Sequence, residues 1–145
     1  MTTVGKIETN KCIFGFELYE DEAPIAAENF KQHAEKVYYD GVSFHRVILN
    51  FMVQTEDPDG TGAGVPSYSI KCETGGEKQV HDRGVMSMAH RVKDTGGAQF
   101  FICHNRPGTQ HLDGVHTCFA RITDGIEFLE SIQGRDKMTK VTLDT

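Results

Sequence analysis

The chain has 145 residues, 15 Lys and Arg against 21 Asp and Glu, a formal net charge of −6, and 38% hydrophobic and 25% charged residues. This is the composition of a globular protein, and the length suits a single domain over residues 1–145 with its own core. An acidic balance without a Lys/Arg cluster excludes a nucleic-acid-binding face, and no apolar run is long enough to cross a bilayer, so neither nucleic acid nor membrane is an expected partner.

In chain order, Cys12, Phe14, Phe16 and Leu18 alternate with other residues, which predicts a half-buried strand. Thr9-Asn10-Lys11 before it predicts a turn that folds this strand back on residues 5–8. A helix follows from Pro24, with Asp21 and Glu22 placed to complement its dipole. Ala26, Phe30, Ala34 and Val37 recur at helical spacing, and Tyr39-Asp40-Gly41 predicts its end.

Residues 43–54, SFHRVILNFMVQ, read as a strand broken near Leu49-Asn50, and most of the run is apolar enough for a core. Arg46 in its middle is the first residue that needs an explanation. Residues 55–67, TEDPDGTGAGVPS, read as a long turn-rich loop. Further short strands are predicted at 68–72, 84–89, 99–103, 117–122 and 138–143, and a second helix at 125–133 capped by Asp124. Many short strands, 15 glycines and two helices predict an all-β fold, a closed antiparallel barrel with helical caps.

Cys12, Cys72, Cys103 and Cys118 form no CxxC pair, so no zinc ribbon or thioredoxin motif is expected. Free thiols are the plain reading, although Cys103 and Cys118 could lie on neighbouring strands. The N-terminal MTTVGKIETNKC lacks the layout of a secretory signal, so a cytoplasmic protein is expected.

Four segments mix large apolar side chains with one or two hydrogen-bonding ones: FHRVI with FMVQ, SMAH, GGAQFF and HLDGVH. A concave, mostly apolar pocket with a few placed polar groups has this signature. Singly, each has a plain structural explanation, such as a snorkelling strand arginine or a polar turn at Asp113-Gly114. His111, Asp113 and His116 offer metal-ligand chemistry, but the Asp-Gly turn signal and the absence of HExxH spacing weigh against a metal site.

Taken together, YYDGVSFHRVI, FMVQ, DPDGTGAG, GVMSMAH, DTGGAQFFIC and HLDGVHTCFARITDG resemble the cyclophilin family of peptidyl-prolyl cis-trans isomerases, in its compact single-domain bacterial type. The resemblance covers most of residues 22–125. It implies an eight-stranded antiparallel β-barrel capped by two helices, with a peptide groove on its outside. By motif match, Arg46 stands at the catalytic arginine. Phe51, Met52, Phe101 and Leu112 stand at the proline pocket, with His111 at its rim. Gln54 and Gln99 stand at the substrate-orienting positions, Ala89 and His90 at the segment that pairs with the bound peptide, and His116 at the pocket floor. The implied activity is rotation about Xaa-Pro bonds in peptides and in unfolded or flexible protein segments, without metal or cofactor, by a monomer. The rival is a module that binds Xaa-Pro segments, or chaperones, with little turnover. A hydrolase or metalloprotein would rest on HLDGVH and the cysteines alone.

The chain departs from the family at five places. Leu49-Asn50 replaces a frequent Pro-Gly, Thr55-Glu56 a Gly-Gly, and Gly64-Val65 a later Gly-Gly. His111 stands where some members carry tryptophan, which implies only weak binding of cyclosporin-type macrocycles. Arg91 follows His90 where a small residue is usual. A β-branched Thr55 disfavours the positive φ that glycine would permit, so the loop is expected to take a new path or hold strain. Glu56, with Asp57 and Asp59, could favour basic peptides if it faces the groove.

Overall fold

The computed structural model describes residues 3–35, 41–44, 46–55, 73–89, 99–134 and 136–144. Eight strands form one antiparallel sheet: β1 (Val4–Thr9), β2 (Ile13–Leu18), β3 (Arg46–Ile48), β4 (Met52–Gln54), β5 (Val85–Met88), β6 (Phe100–Cys103), β7 (Cys118–Asp124) and β8 (Met138–Asp144). Their order across the sheet is β3-β4-β6-β5-β7-β2-β1-β8. The helix α1 (Pro24–Glu35) starts at the predicted proline, and a four-residue helix α2 (Arg106–Thr109) follows β6.

The sheet curls around one apolar layer. Phe14, Phe16, Val53, Met86, Ile102, Phe119 and Ala120 point inward and meet Phe30, Ala26 and Ala27 of α1. The Phe30 ring lies 5.4 Å from Phe16, 5.5 Å from Phe100 and 5.2 Å from Phe119, centroid to centroid. Each fully buried Phe adds about 2–3 kcal/mol of hydrophobic stabilisation, so this one helix residue fastens α1 to three strands.

The barrel is not closed by a ladder, in contrast to the sequence expectation. The edge strands β3 and β8 share no continuous pairing, and the sheet is a curled half-barrel. Residues 41–44, just before β3, bridge the gap instead. Phe44 N donates to Asp136 O (2.8 Å), Met138 N to Val42 O (2.9 Å) and Gly41 N to Met138 O (2.8 Å), around an isolated Ser43–Lys137 bridge.

Three local expectations are also corrected. The first turn of α1 is capped by Glu73, whose carboxylate accepts from Ile25 N (3.2 Å) and Ala26 N (2.9 Å). Asp21 and Glu22 engage Lys78 instead. The element predicted at 125–133 is a 3₁₀ helix, Ile126–Ser131. Asp124 cannot cap it because it is spent in β7, paired with Gly15. Gly125 takes the cap position at φ 81°, where a Cβ would meet Ile13 O at 2.4 Å. Cys103 and Cys118 are buried free thiols on β6 and β7, and β5 separates those strands. The predicted strand at 68–72, the loop residues 56–67 with Glu56 and Val65, the helix end at Val37 and 39–40, and His90 and Arg91 lie outside the described residues.

The break predicted near Leu49-Asn50 is a tight turn. Phe51 N donates to Ile48 O (3.0 Å), and Asn50 has φ 64°. Positive φ at this third turn position is the type II requirement, which glycine or asparagine meets most cheaply. Asn50 thus performs the glycine's backbone task. We expect Asn50→Gly to be near neutral and Asn50→Ala to cost about 1 kcal/mol, read from urea midpoints at constant m. Equal midpoints for the two variants would contradict the assignment.

Candidate functional site

Strands β5 and β6, VMSM and FFIC, are buried along their whole length rather than alternating. Their second face must therefore be covered, and it is. On the outside of the sheet, Tyr19, Met52, Val85, Phe101, Cys103 and Cys118 form a second apolar cluster, with Phe51, Ala89 and Leu112 packed against it half-exposed. The four residues assigned to the proline pocket, Phe51, Met52, Phe101 and Leu112, are brought together here, with Ala89 of the peptide-pairing segment beside them.

The polar residues reach the same face through strand register. Arg46 pairs with Gln54, Gln54 with Phe101, and Phe101 with Ser87. Directly paired residues of an antiparallel sheet project to the same side. Arg46, Gln54 and Phe101 therefore form one row on the outer face. Val47, between the row's neighbours, turns inward against the core. The opening puzzle of an arginine in a core-like segment resolves here. β3 is an edge strand, Arg46 is exposed, and so are Ile48 and Leu49, the latter by 67%.

Gln54 Nε2 donates to Gln99 Oε1 (3.1 Å), joining the two glutamines at the middle of the row. Ala89 N donates to Gln99 O (3.1 Å), which anchors the segment after β5. His116 meets the edge of Phe101 at 5.5 Å and 85°, and its Nδ1 lies 3.0 Å from Met88 O. A carbonyl only accepts, so Nδ1 carries the proton. His111 stacks on Phe51 at 5.7 Å and 28°.

Thr55 does not take positive φ and continues the strand. It is fully buried, its N donates to Phe100 O (2.9 Å), and its Oγ1 accepts from Phe100 N (3.1 Å). Among the described residues only Asn50 combines a side chain with positive φ. Threonine here extends the β4 pairing by one residue, so the strain expected at Thr55 is absent, while the path of the loop after it lies outside the described residues.

The sequence reading missed the polar layer beneath the cluster. His81 is fully buried, with Nδ1 3.0 Å from Asp113 Oδ1 and Nε2 2.8 Å from Ser87 Oγ. Arg106 Nη1 holds the other carboxylate oxygen at 2.6 Å. Burial pushes the His81 pKa down despite Asp113. Burial alone would raise Asp113, but its bonds from His81 and Arg106 outweigh that and hold it below the usual carboxylate range. Asp113 is thus a structural acceptor, and its neighbours His111 and His116 face Phe51 and Met88 rather than converging with it. Among the described residues no three His, Cys, Asp or Glu side chains are grouped to hold a metal ion. Burial raises the Cys103 thiol to about 12 and the Cys118 thiol still further, so neither offers a thiolate.

A turn-and-helix contact completes the frame. His104 N donates to Phe51 O (2.9 Å), and His104 Nδ1 accepts from Asn50 N (3.1 Å). Gly108 of α2 lies so near the turn that a Cβ would sit 1.9 Å from Asn50 O. The only sequence signal for α2 is Asn105 before Arg106-Pro107. The Asn105 side chain caps the helix by accepting from Gly108 N (2.8 Å).

Residues 4–144 match the family model described as cyclophilin type peptidyl-prolyl cis-trans isomerase/CLD. The chain is 48% identical over 129 residues to peptidyl-prolyl cis-trans isomerase B of Bacillus subtilis, covering 89% of each. It is 40% identical over 145 residues to a peptidyl-prolyl cis-trans isomerase of Synechococcus elongatus, covering 99% of this chain and 97% of the relative. Among solved structures it is similar to a cyclophilin type peptidyl-prolyl cis-trans isomerase of Cryptosporidium parvum, at a TM-score of 0.91 and 27% identity, over 100% of this chain and 99% of the other. The same parasite enzyme crystallised in the presence of the dipeptide Ala-Pro matches with a TM-score of 0.88.

Proposed function

The chain belongs to the cyclophilin-type peptidyl-prolyl cis-trans isomerases and is an enzyme of that class, and from this premise we propose that Arg46 supplies the catalytic hydrogen bond while the outer apolar cluster holds the substrate proline. The observation that carries this reading is the row Arg46–Gln54–Phe101, which runs across the outer face of three strands beside that cluster.

The chemistry needs little else. The amide before proline has partial double-bond character, with a rotation barrier of about 20 kcal/mol and spontaneous exchange over tens of seconds. Rotation breaks the conjugation and leaves a lone pair on the prolyl nitrogen. A guanidinium N–H can donate to that lone pair only once it has formed. The contact is therefore stronger in the transition state than in the ground state, and only such contacts accelerate the step. Lowering the barrier by about 7 kcal/mol gives about a 10⁵-fold acceleration. Phe101, Met52, Phe51 and Leu112 grip the ring, His116 braces Phe101, and the Gln54–Gln99 pair offers polar groups to the peptide backbone. The peptide runs along the segment at Ala89 and His90. The substrate class is proline-containing peptides and flexible or unfolded protein segments, in keeping with the Ala-Pro present with the parasite enzyme. Exchange spectroscopy on a short Xaa-Pro peptide with catalytic amounts of protein reads binding and turnover together.

The rim at His111 bears on inhibitors. Its imidazole is exposed and lies over Phe51. It buries less area than an indole and offers a different donor. Cyclosporin-type macrocycles should bind weakly, and His111→Trp should tighten them by about tenfold, measured by titration calorimetry. Tight binding by the unaltered chain that His111→Trp leaves unchanged would remove His111 from the rim.

A further inference from the structure

His81 takes no part in the chemistry above, yet it touches each component of the pocket's support. Its backbone N and Nδ1 lie 2.8 and 3.0 Å from the same Asp113 oxygen, and Asp113 adjoins Leu112 in the rim segment. Its Nε2 reaches Ser87 of β5 at 2.8 Å. Its ring stacks on Phe101 of β6 at 6.0 Å and 16°, and meets the edge of His116 at 6.5 Å. Its carbonyl accepts from Thr109 Oγ1 at 2.9 Å. Arg106 lies beyond Asp113, and the Cys118 thiol stands 3.5 Å from either ring nitrogen.

From this we infer that His81 is a positioning residue for the isomerase pocket: it locks the rim at Leu112–Asp113 to the pocket ring Phe101, and so sets the grip on proline without touching substrate. The inference rests on the pocket assignment made above.

The proton count shows why a histidine suits the place. The Asp113 carboxylate only accepts, so Nδ1 must donate. Ser87 has a single hydroxyl proton and two acceptors in reach, His81 Nε2 and Thr117 O at 3.0 Å. With His81 neutral, the hydroxyl points to Nε2, and both ring nitrogens and Asp113 are satisfied. A second ring proton would turn the hydroxyl to Thr117 O. Burial and the Arg106 cation oppose that proton, and Asp113 favours it; burial prevails and His81 is held neutral. A neutral imidazole joins an acceptor on one element to a donor on another at fixed separation, while its face supports a phenyl ring. A phenyl ring of similar size would keep the stacking and lose both ties.

The test compares His81→Phe, Asp113→Ala and Asp113→Asn with Phe101→Ala and with Leu129→Ala, a destabilising change in the inner core. His81→Phe and Asp113→Ala are each expected to raise KM for an Xaa-Pro peptide about fivefold, with kcat within about twofold, and together to do no more than either alone. Asp113→Asn, which keeps an acceptor oxygen, should recover most of the affinity. Leu129→Ala should lower Tm and leave KM unchanged. In the wild type, long-range proton–nitrogen NMR should find the His81 proton on Nδ1 at neutral pH. An unchanged KM in His81→Phe beside a raised KM in Phe101→Ala would overturn the role of His81 and keep the pocket. An unchanged KM in Phe101→Ala would overturn the pocket and this inference with it. A proton on Nε2 instead of Nδ1 would overturn the proposed lock even if no variant folded.

Discussion

Arg46→Ala should lower kcat/KM for an Xaa-Pro peptide by about a hundredfold or more, while Tm stays within about 2 °C of the wild type. The rate loss is that of removing one preorganised donor aimed at charge that exists only in the transition state. The unchanged Tm follows from position. Arg46 is exposed on the outer face of a three-residue edge strand, and the inward residue of that strand is Val47. Exposed substitutions of this kind change stability by about 0.5 kcal/mol at most. Because the contact forms late in the step, kcat should fall more than KM rises. Arg46→Lys should also be impaired, since a single ammonium on a flexible stem lacks the fixed planar fork of donors. Wild-type turnover by Arg46→Ala would remove this residue from the mechanism.

Gly108→Ala should be the most damaging change away from the substrate. The added Cβ would sit 1.9 Å from Asn50 O, and that atom is backbone, so the clash cannot be relieved by a side-chain rotation. Helix α2 and the turn at 48–51 must move apart. That motion strains the His104 N–Phe51 O and Asn50 N–His104 Nδ1 hydrogen bonds and displaces Phe51 from the apolar cluster. Overpacking of this kind costs about 2 kcal/mol, or roughly 6 °C in Tm for a chain of this length. KM should rise about tenfold, since small misplacements of binding groups are expensive. Gly75→Ala is the control. A Cβ there meets nothing within 4 Å and its φ is not positive, so Tm and KM should not move. If Gly108→Ala matches that control, the turn is not held by α2.

The features visible in the sequence are those decided by neighbours along the chain. The hairpin of β1 and β2, the start of α1 at Pro24 and the break at Asn50 each follow from spacing or turn chemistry within a few residues. That Phe51, Met52, Phe101 and Leu112 lie in one outer cluster follows the motif resemblance, which carries three-dimensional information that periodicity lacks. The run around Arg46 was misjudged locally. An apolar-rich run such as VILNFMV suggests a core, yet an edge strand and a tight turn leave Ile48 and Leu49 exposed.

What stayed hidden depends on partners far apart in sequence. The cap on α1 comes from Glu73, 47 positions from Ala26. The His81–Asp113 tie spans 32 positions, and no local pattern marks His81 as buried. Asp113 in HLDGVH has the appearance of a turn residue or a metal ligand until its two partners are placed around it. The open sheet was hidden for a related reason. Strand count predicts a barrel, but whether its edges zip depends on the short segment at 41–44, whose bonds go to 136–138, more than 90 positions away.

The most direct test of the central claim is exchange spectroscopy on one Xaa-Pro peptide, with wild type and Arg46→Ala each at concentrations that saturate the peptide's binding shifts. The mechanism assigns grip to the apolar cluster and acceleration to Arg46, so the two should separate. Arg46→Ala should still shift the peptide resonances on binding, while cis/trans exchange falls back toward the uncatalysed timescale of tens of seconds. Exchange by bound Arg46→Ala at the wild-type rate would contradict the claim that the arginine's hydrogen bond to the prolyl nitrogen drives the rotation.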